Sequence, residues 1–192
     1  MSNFGSRKEF KLIIQLFYEG LTELDYLQKF IQQQKKTNLV RLNKTYTNPN
    51  PLNLAKEAIG RYNDLKMPKS EIWLIFDHDG REREVREAID IIKQSRKDIH
   101  IAFMKPCFEI WPLLHNNINN VTTQTMAQSK LEEIMPSYKH DRNPYFELSK
   151  MPNYVQAVQK AHQWEISLSG ASEYNSAKFA GIYKLTEKIK NI

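Results

Sequence analysis

Residues 72–80 read IWLIFDHDG, and the fold class is decided there. Ile72 to Phe76 is an apolar run with no polar break, the pattern of a central parallel strand covered on both faces. Asp77 and Asp79 follow at once, one residue apart. On a turn both carboxylates can reach one metal pair, whereas on a continuing strand they would point to opposite faces. His78 would point away from them if the loop kept strand alternation. It reads as a solvated histidine first and as a substrate contact second.

The flanking segments repeat the strand–helix rhythm. Phe10 to Tyr18 (FKLIIQLFY) reads as a buried strand ending near Gly20. The helix that follows carries Leu24, Leu27, Phe30 and Ile31 at helical spacing, with Thr22 as the expected cap and Glu23 and Asp25 in its acidic first turn. Leu39 to Leu42 is a short strand, and Leu52 to Leu65 a helix stopped before Pro68. Arg81 to Lys97 is a helix with Val85, Ala88, Ile89 and Ile92 on one stripe. Its mixed charges read as an exposed face laced with ion pairs. Asp98 to Met104 alternates as a fourth strand and exits into KPCFEIWPLLH, residues 105–115. Such alternation predicts an α/β fold, with a mostly parallel sheet of about four strands flanked by helices. Past His115 the pattern changes to helical segments near 124–135, 152–165 and 175–190, with no strand evident. Residues 1–115 are therefore expected to form the α/β core, and 116–192 a helical extension packed on it.

Net charge is +6 with a pI near 9.2, a balance that favours a polyanionic partner; many proteins are also mildly basic for no special reason. The single cysteine, Cys107, excludes an intrachain disulfide and a cysteine zinc cluster, and suits a reducing compartment. The polar start MSNFGSRKEF does not read as a signal peptide, and no apolar run approaches the roughly 20 residues of a membrane span. A soluble cytoplasmic protein is expected.

The acids fall where chemistry is done in such folds. Glu19 follows the first strand, Asp77 and Asp79 the third, and Glu109 lies just past the fourth. Ligands of open parallel sheets bind outside the carboxyl ends of the strands. Gathered carboxylates repel, and a cation relieves that repulsion. Magnesium suits an all-oxygen site completed by water and phosphate, with manganese as an alternative. Phosphoryl transfer is the chemistry implied. Against this, Asp-Gly and Glu-Gly are also ordinary turn pairs. Glu23 reads as an acid favoured by the helix dipole before it reads as part of the site.

Basic residues concentrate between positions 35 and 66, where seven (Lys35, Lys36, Arg41, Lys44, Lys56, Arg61 and Lys66) face two acids, Glu57 and Asp64. Tyr46 and Tyr62 are interleaved. Lys35, Lys36, Arg41 and Lys44 are therefore candidates for nucleic-acid contact, with a solvated helix face as the alternative. His115 reads as a cap at a helix end or, second, as a substrate contact.

Three strings resemble the RloB-like family: FYEGLTELDYLQKF (17–30), IWLIFDHDG (72–80) and KPCFEIWPLLH (105–115), together with Tyr138–Lys139. That family belongs to the Toprim superfamily, in which one Glu and a D-x-D hold magnesium. The resemblance implies that Glu19 acts as general base or as a metal ligand through water, and that Asp77 and Asp79 are the metal pair. It also implies that Glu109 is a further ligand or positioning acid. Lys139 could act as a lysine clamp on phosphate, or be an isolated surface lysine. Members are often encoded beside an ATPase called RloA, in restriction-modification and abortive-infection loci. A nuclease acting on DNA or on RNA such as tRNA, in anti-phage defence, is the function implied. Two departures stand out, Lys105 for the family's usual Asn and Pro112 for its usual Leu, and both bear on where Glu109 sits. A non-catalytic partner of an ATPase is the alternative. A D-x-D phosphatase is disfavoured, because that chemistry wants its aspartate on the first strand.

Overall fold

The computed structural model describes residues 11–44, 48–66, 69–140, 144–168, 176 and 178–192. The elements run β1 Ile13–Tyr18, α1 Leu21–Gln33, β2 Val40–Asn43, α2 Pro51–Gly60, α3 Tyr62–Leu65, β3 Ser70–Asp77 and α4 Glu82–Ser95. They continue with β4 Ile99–Lys105, α5 Ile110–His115, α6 Gln124–Ile134, α7 Tyr154–Ile166, β5 Phe179–Ala180 and α8 Ile182–Asn191. The sheet order is β2-β1-β3-β4-β5; the first four strands are parallel and β5 is antiparallel to β4. The α/β class with a mostly parallel sheet is as the alternating segments predict.

Strand alternation divides the core. Phe17, Ile72, Leu74, Phe76 and Phe103 pack on one face against Leu54, Ala55 and Ala58 of α2 and Val85, Ala88, Ile89 and Ile92 of α4. Ile14, Leu16, Trp73, Ile75, Ala102 and Met104 pack on the other, in a larger cluster with α1, α5, α6, α7 and α8. β3 is covered on both sides, which explains its unbroken apolar run. The segment after residue 115 shares this second cluster with the sheet, through Ala127, Leu131, Ala157, Ala161, Leu185 and Ile189.

Several local expectations are corrected. Gly20, not Thr22, precedes the first turn of α1; Thr22 is buried inside the helix, and the Glu23 carboxylate accepts the Gly20 amide at 3.0 Å. A third-position acid reaching back satisfies an otherwise orphaned amide, so a hydroxyl at 22 is not needed. The helix expected from Leu52 to Leu65 is broken at Arg61 into α2 and α3. Phe179 and Ala180 pair with Lys105 and Met104 inside a stretch read as purely helical. Two residues are too few for period-two patterning to register. Pro112 sits in the first turn of α5, where its missing amide costs no helical bond. The expected strand start at Phe10, the stop at Pro68, the aromatic Tyr46 and the start of the last helix at position 175 lie outside the described residues.

Leu74 is fully buried at the centre of β3. Leu74→Ala should lower unfolding stability by about 2–5 kcal/mol, measured by urea titration.

Candidate functional site

The carboxyl ends of β1 and β3 meet because these strands pair in register, with Tyr18 beside Ile75. The chain then turns sharply. His78 N donates to Met104 O at 2.9 Å, Asp79 N to Pro106 O at 3.0 Å, and Arg81 N to His78 O at 2.7 Å. Asp79 and Gly80 take left-handed φ values of 45° and 73°, a conformation that Asp tolerates and Gly favours. This turn, rather than a continuing strand, brings both aspartates to the same end.

A cationic side chain stands between two of these acids. Arg81 Nη1 pairs with Glu19 Oε1, and Arg81 Nη2 lies 3.3 Å from Asp79 Oδ2. The second Glu19 oxygen faces the Asp77 amide at 3.4 Å. Asp77 is 6% exposed, and its Oδ2 accepts the Phe108 amide at 2.7 Å. Asp77 Oδ1 and Asp79 Oδ1 are buried with no hydrogen-bond partner among the described residues. Arg81 thus leaves the face of mixed ion pairs on which the sequence places it, while Arg83–Glu87 and Arg86–Glu82 keep that character.

Glu109 is 1% exposed and accepts hydrogen bonds from Tyr138 Oη and, at 3.0 Å, from His140 Nδ1. Burial pushes its carboxyl up, but the bonds from His140, Tyr138 and Cys107 outweigh burial and hold it below the usual range. Glu23, read as a helix-dipole acid, is 4% exposed and belongs to the same field. Burial first, then repulsion from Glu19, Glu109 and Asp79, pushes it up to about 8 against the pull of a backbone hydrogen bond. Asp79 is pushed up to about 6 by burial, with Arg81 opposing and Glu19 and Glu109 adding. Asp77 is raised well above its ordinary value by burial and by Glu23, Asp79 and Glu109.

Other expected residues fall elsewhere. His78 takes an amide hydrogen from Gly80 at 3.1 Å on Nδ1 and lies edge-on to Phe103. Lys139 pairs with Glu132 at 3.1 Å, so in the Tyr138–Lys139 pair the tyrosine, not the lysine, touches a site acid. His115 does not cap its own helix: it is 3% exposed and hydrogen-bonds the Met151 carbonyl at 3.1 Å. Lys35, Arg41 and Lys44 are exposed, while Lys36 reaches the Ile192 carbonyl. Arg41 belongs to β2, a sheet edge, where charge also discourages strand addition. Arg61 and Lys66 are paired with Glu57 and Asp98. Lys44 follows β2 beside the end of β1, so it stands at the same rim as Glu19.

Sequence reasoning missed Arg81 and His140 and ranked Glu23 wrongly. An arginine four residues after the D-x-D's first acid was a visible signal. The reach of His140 back to Glu109 had none.

A family model describing RloB-like proteins matches residues 14–189. The chain belongs to the RloB-like family. The match runs from within β1 to within α8, so it takes in the carboxylates described above. No curated protein and no solved structure matches the chain.

Whether these residues fit a divalent ion rests on their own chemistry. Among the described residues no three His, Cys, Asp or Glu side chains are disposed around one point to hold an ion. The donors are nonetheless all carboxylate oxygens, two of them buried and without a hydrogen-bond partner among the described residues, and the Arg81 side chain stands against two of the acids. Such a set fits a hard cation that takes one or two protein carboxylates and keeps its waters.

Two outcomes follow. In the unfolded chain Glu23 ionises near 4.5 and in the fold near 8, so the folded state holds a proton across that window and stability falls as pH rises through it. Glu23→Gln should flatten that decline and gain on the order of 1–3 kcal/mol at pH 8 without divalent cations, read from melting curves against pH. Arg81→Ala should lower the cation-free melting temperature and yet tighten Mn²⁺ binding by calorimetry, since it removes the competing charge.

Proposed function

We propose that this chain is a metal-dependent nuclease of the Toprim type, hydrolysing phosphodiester bonds of RNA such as tRNA, or of DNA, in bacterial anti-phage defence. The observation that carries the reading is the meeting of Glu19, Asp77 and Asp79 from two strand ends, with Asp77 Oδ1 and Asp79 Oδ1 buried and unpartnered. Isolated turn acids would be solvated; here Asp77 is buried, Glu19 and Asp79 are half-buried, and an arginine stands against two of them.

Asp77 and Asp79 would hold the ion, Mg²⁺ or Mn²⁺, with Glu19 beside them. The ion would supply charge stabilisation at a phosphate oxygen and a more acidic bound water. The chain's own residues do the rest. The Phe108 amide orients the Asp77 carboxylate, leaving its other oxygen for the ion. Glu19 is positioned to accept a proton at Oε1 or Oε2 once Arg81 moves off it. Glu109, tied by Tyr138 and His140, stays ionised behind the pair and raises its affinity for a cation. Lys44 beyond β2 and Lys105 at the end of β4 flank the rim with positive charge that suits a phosphate backbone. Arg41 adds charge along β2, the sheet edge, while Lys35 and Lys36 precede β2 at the opposite end of the sheet and Lys139 pairs with Glu132 on the helical side.

A second reading is favoured by one observation: no three-ligand group is preassembled among the described residues, and Arg81 occupies the space between the acids. On that reading the chain is a non-catalytic, Toprim-fold partner of an RloA-like ATPase.

Purified chain with Mg²⁺ or Mn²⁺ should cut plasmid DNA or total tRNA, and Glu19→Gln and Asp77→Asn should each reduce cutting by at least about 100-fold. Asp77→Asn should weaken Mn²⁺ binding while leaving cation-free stability equal or higher, since one repelling charge is gone. Cutting that survives in both variants, or the lack of any calorimetric Mn²⁺ binding, would overturn the nuclease reading. Mn²⁺ binding without cutting would favour the ATPase partner.

A further inference from the structure

The flank of α1 beside the acids carries apolar surface that the acids do not use. Leu21 begins the helix two residues after Glu19 and is 60% exposed. With Leu24, Asp25, Gln28 and Pro144 it lines a shallow groove of about 210 Å³. That volume is below the usual range of small-ligand sites, so the groove suits one group of a larger molecule rather than a whole ligand. A larger cavity of about 430 Å³ lies at the other end of α1 and holds stacked rings, but no open ring face. Tyr26 and Phe30 there are 1% and 4% exposed, and His115, kept neutral by burial that pushes its pKa down to about 4, is buried with them.

Tyr145 adjoins the groove and does present a face. It follows Pro144 in sequence and lies under Lys29, the neighbour of Gln28. Phe146 is buried against Tyr26, Phe108 and Tyr138, and its amide donates to Asp25 Oδ2 at 2.7 Å. With Phe146 anchored inward, Tyr145 is turned outward. Lys29 Nζ, paired with Asp25 at 2.9 Å, sits 3.1 Å over one side of the Tyr145 ring. The residue is still 53% exposed, so the other side of the ring is open to solvent. An exposed aromatic ring fixed in this way is preorganised, and little entropy is lost when something stacks on it.

The flank is continuous with the acid end. His140, which bonds Glu109, stands five residues before Tyr145, and five residues of chain span at most about 18 Å. Leu21 and Lys29 are eight residues apart, about 12 Å of helix, enough for two neighbouring nucleotides. Size decides what docks here. A protein partner needs roughly 800 Å² on each side, and two exposed side chains supply at most about 500 Å². A base needs a single face. In a duplex the bases present only their edges to the grooves, so the base must be unpaired. We propose that this flank seats a single-stranded segment of nucleic acid, with one unpaired base stacked on Tyr145 and the adjoining nucleotide packed against Leu21. The net charge of +6 favours such a polyanion. For the fate of the strand the inference rests on the nuclease reading, and it then makes the substrate a loop or an end rather than continuous duplex.

The full chain is titrated by fluorescence anisotropy with an oligonucleotide of about 12 nucleotides, as a single strand and as its duplex, in EDTA and again with Ca²⁺. The single strand should bind at least about tenfold more tightly than the duplex. Tyr145→Ala should weaken the single strand about tenfold and leave the duplex within about twofold, while Tyr145→Phe keeps wild-type affinity. Leu21→Ser should weaken the single strand about threefold. A fluorescent base analogue moved along the strand should be quenched at one position, and Tyr145→Ala should remove that quenching. Both side chains are exposed, so these variants should melt as the wild type does. The proposal is overturned if neither form binds, if single strand and duplex bind alike, or if Tyr145→Ala leaves both the affinity and the quenching unchanged. Binding is read without cutting, so failure of the nuclease reading would leave this result standing, and persistent cutting would not rescue it.

Discussion

The organisation of this protein depends on apolar packing over both faces of β3, strong enough to hold repelling carboxylates at one end of a parallel sheet. Burial first, and then repulsion within the group Glu19, Glu23, Asp77, Asp79 and Glu109, raises Glu23, Asp77 and Asp79 above their ordinary ranges. Arg81 is the cation seated between two of them. Folding here works against electrostatics, and the aliphatic packing on both faces of β3 supplies what holds the acids together. Concentrated charge that burial disfavours is more often a feature of working sites than of scaffolds.

The surrounding structure sets how each acid behaves. Asp77 is the last residue of β3, and its side chain continues the parity of Trp73 and Ile75, toward the face covered by α1 and α5. There the amide of Phe108 meets one of its oxygens. Glu109 stays ionised despite being more buried, because Tyr138 and His140 donate to it. The helical segment after residue 115 therefore does more than cover the sheet: it delivers the two donors that fix one acid's charge. Glu23 has only a helix-terminal amide for company and is driven toward the neutral form.

The aromatic cavity at the other end of α1 follows a different logic. It holds stacked rings and a neutral histidine, where the acid end holds charges. One helix thus presents a charged end to the sheet rim and an aromatic stretch to the C-terminal helices. The two ends differ because the first is built from backbone turns after strands and the second from side chains on facing helices.

The sequence by itself determined the four parallel strands, the class of fold and the family. Apolar runs and helical stripes report directly on burial, and IWLIFDHDG marks a covered strand ending in acids. It also placed Glu19, Asp77, Asp79 and Glu109 correctly at strand ends, because position relative to a strand is a local property. Only the tertiary structure decided that Glu23 is buried among them, that Arg81 bridges Glu19 to Asp79, and that Tyr138 rather than Lys139 reaches Glu109. It alone showed β5, the break at Arg61 and the burial of His115. Each of these depends on contacts between residues distant in sequence or on two-residue geometry. Periodicity carries no record of either, because it describes which face a residue occupies and not what that face meets.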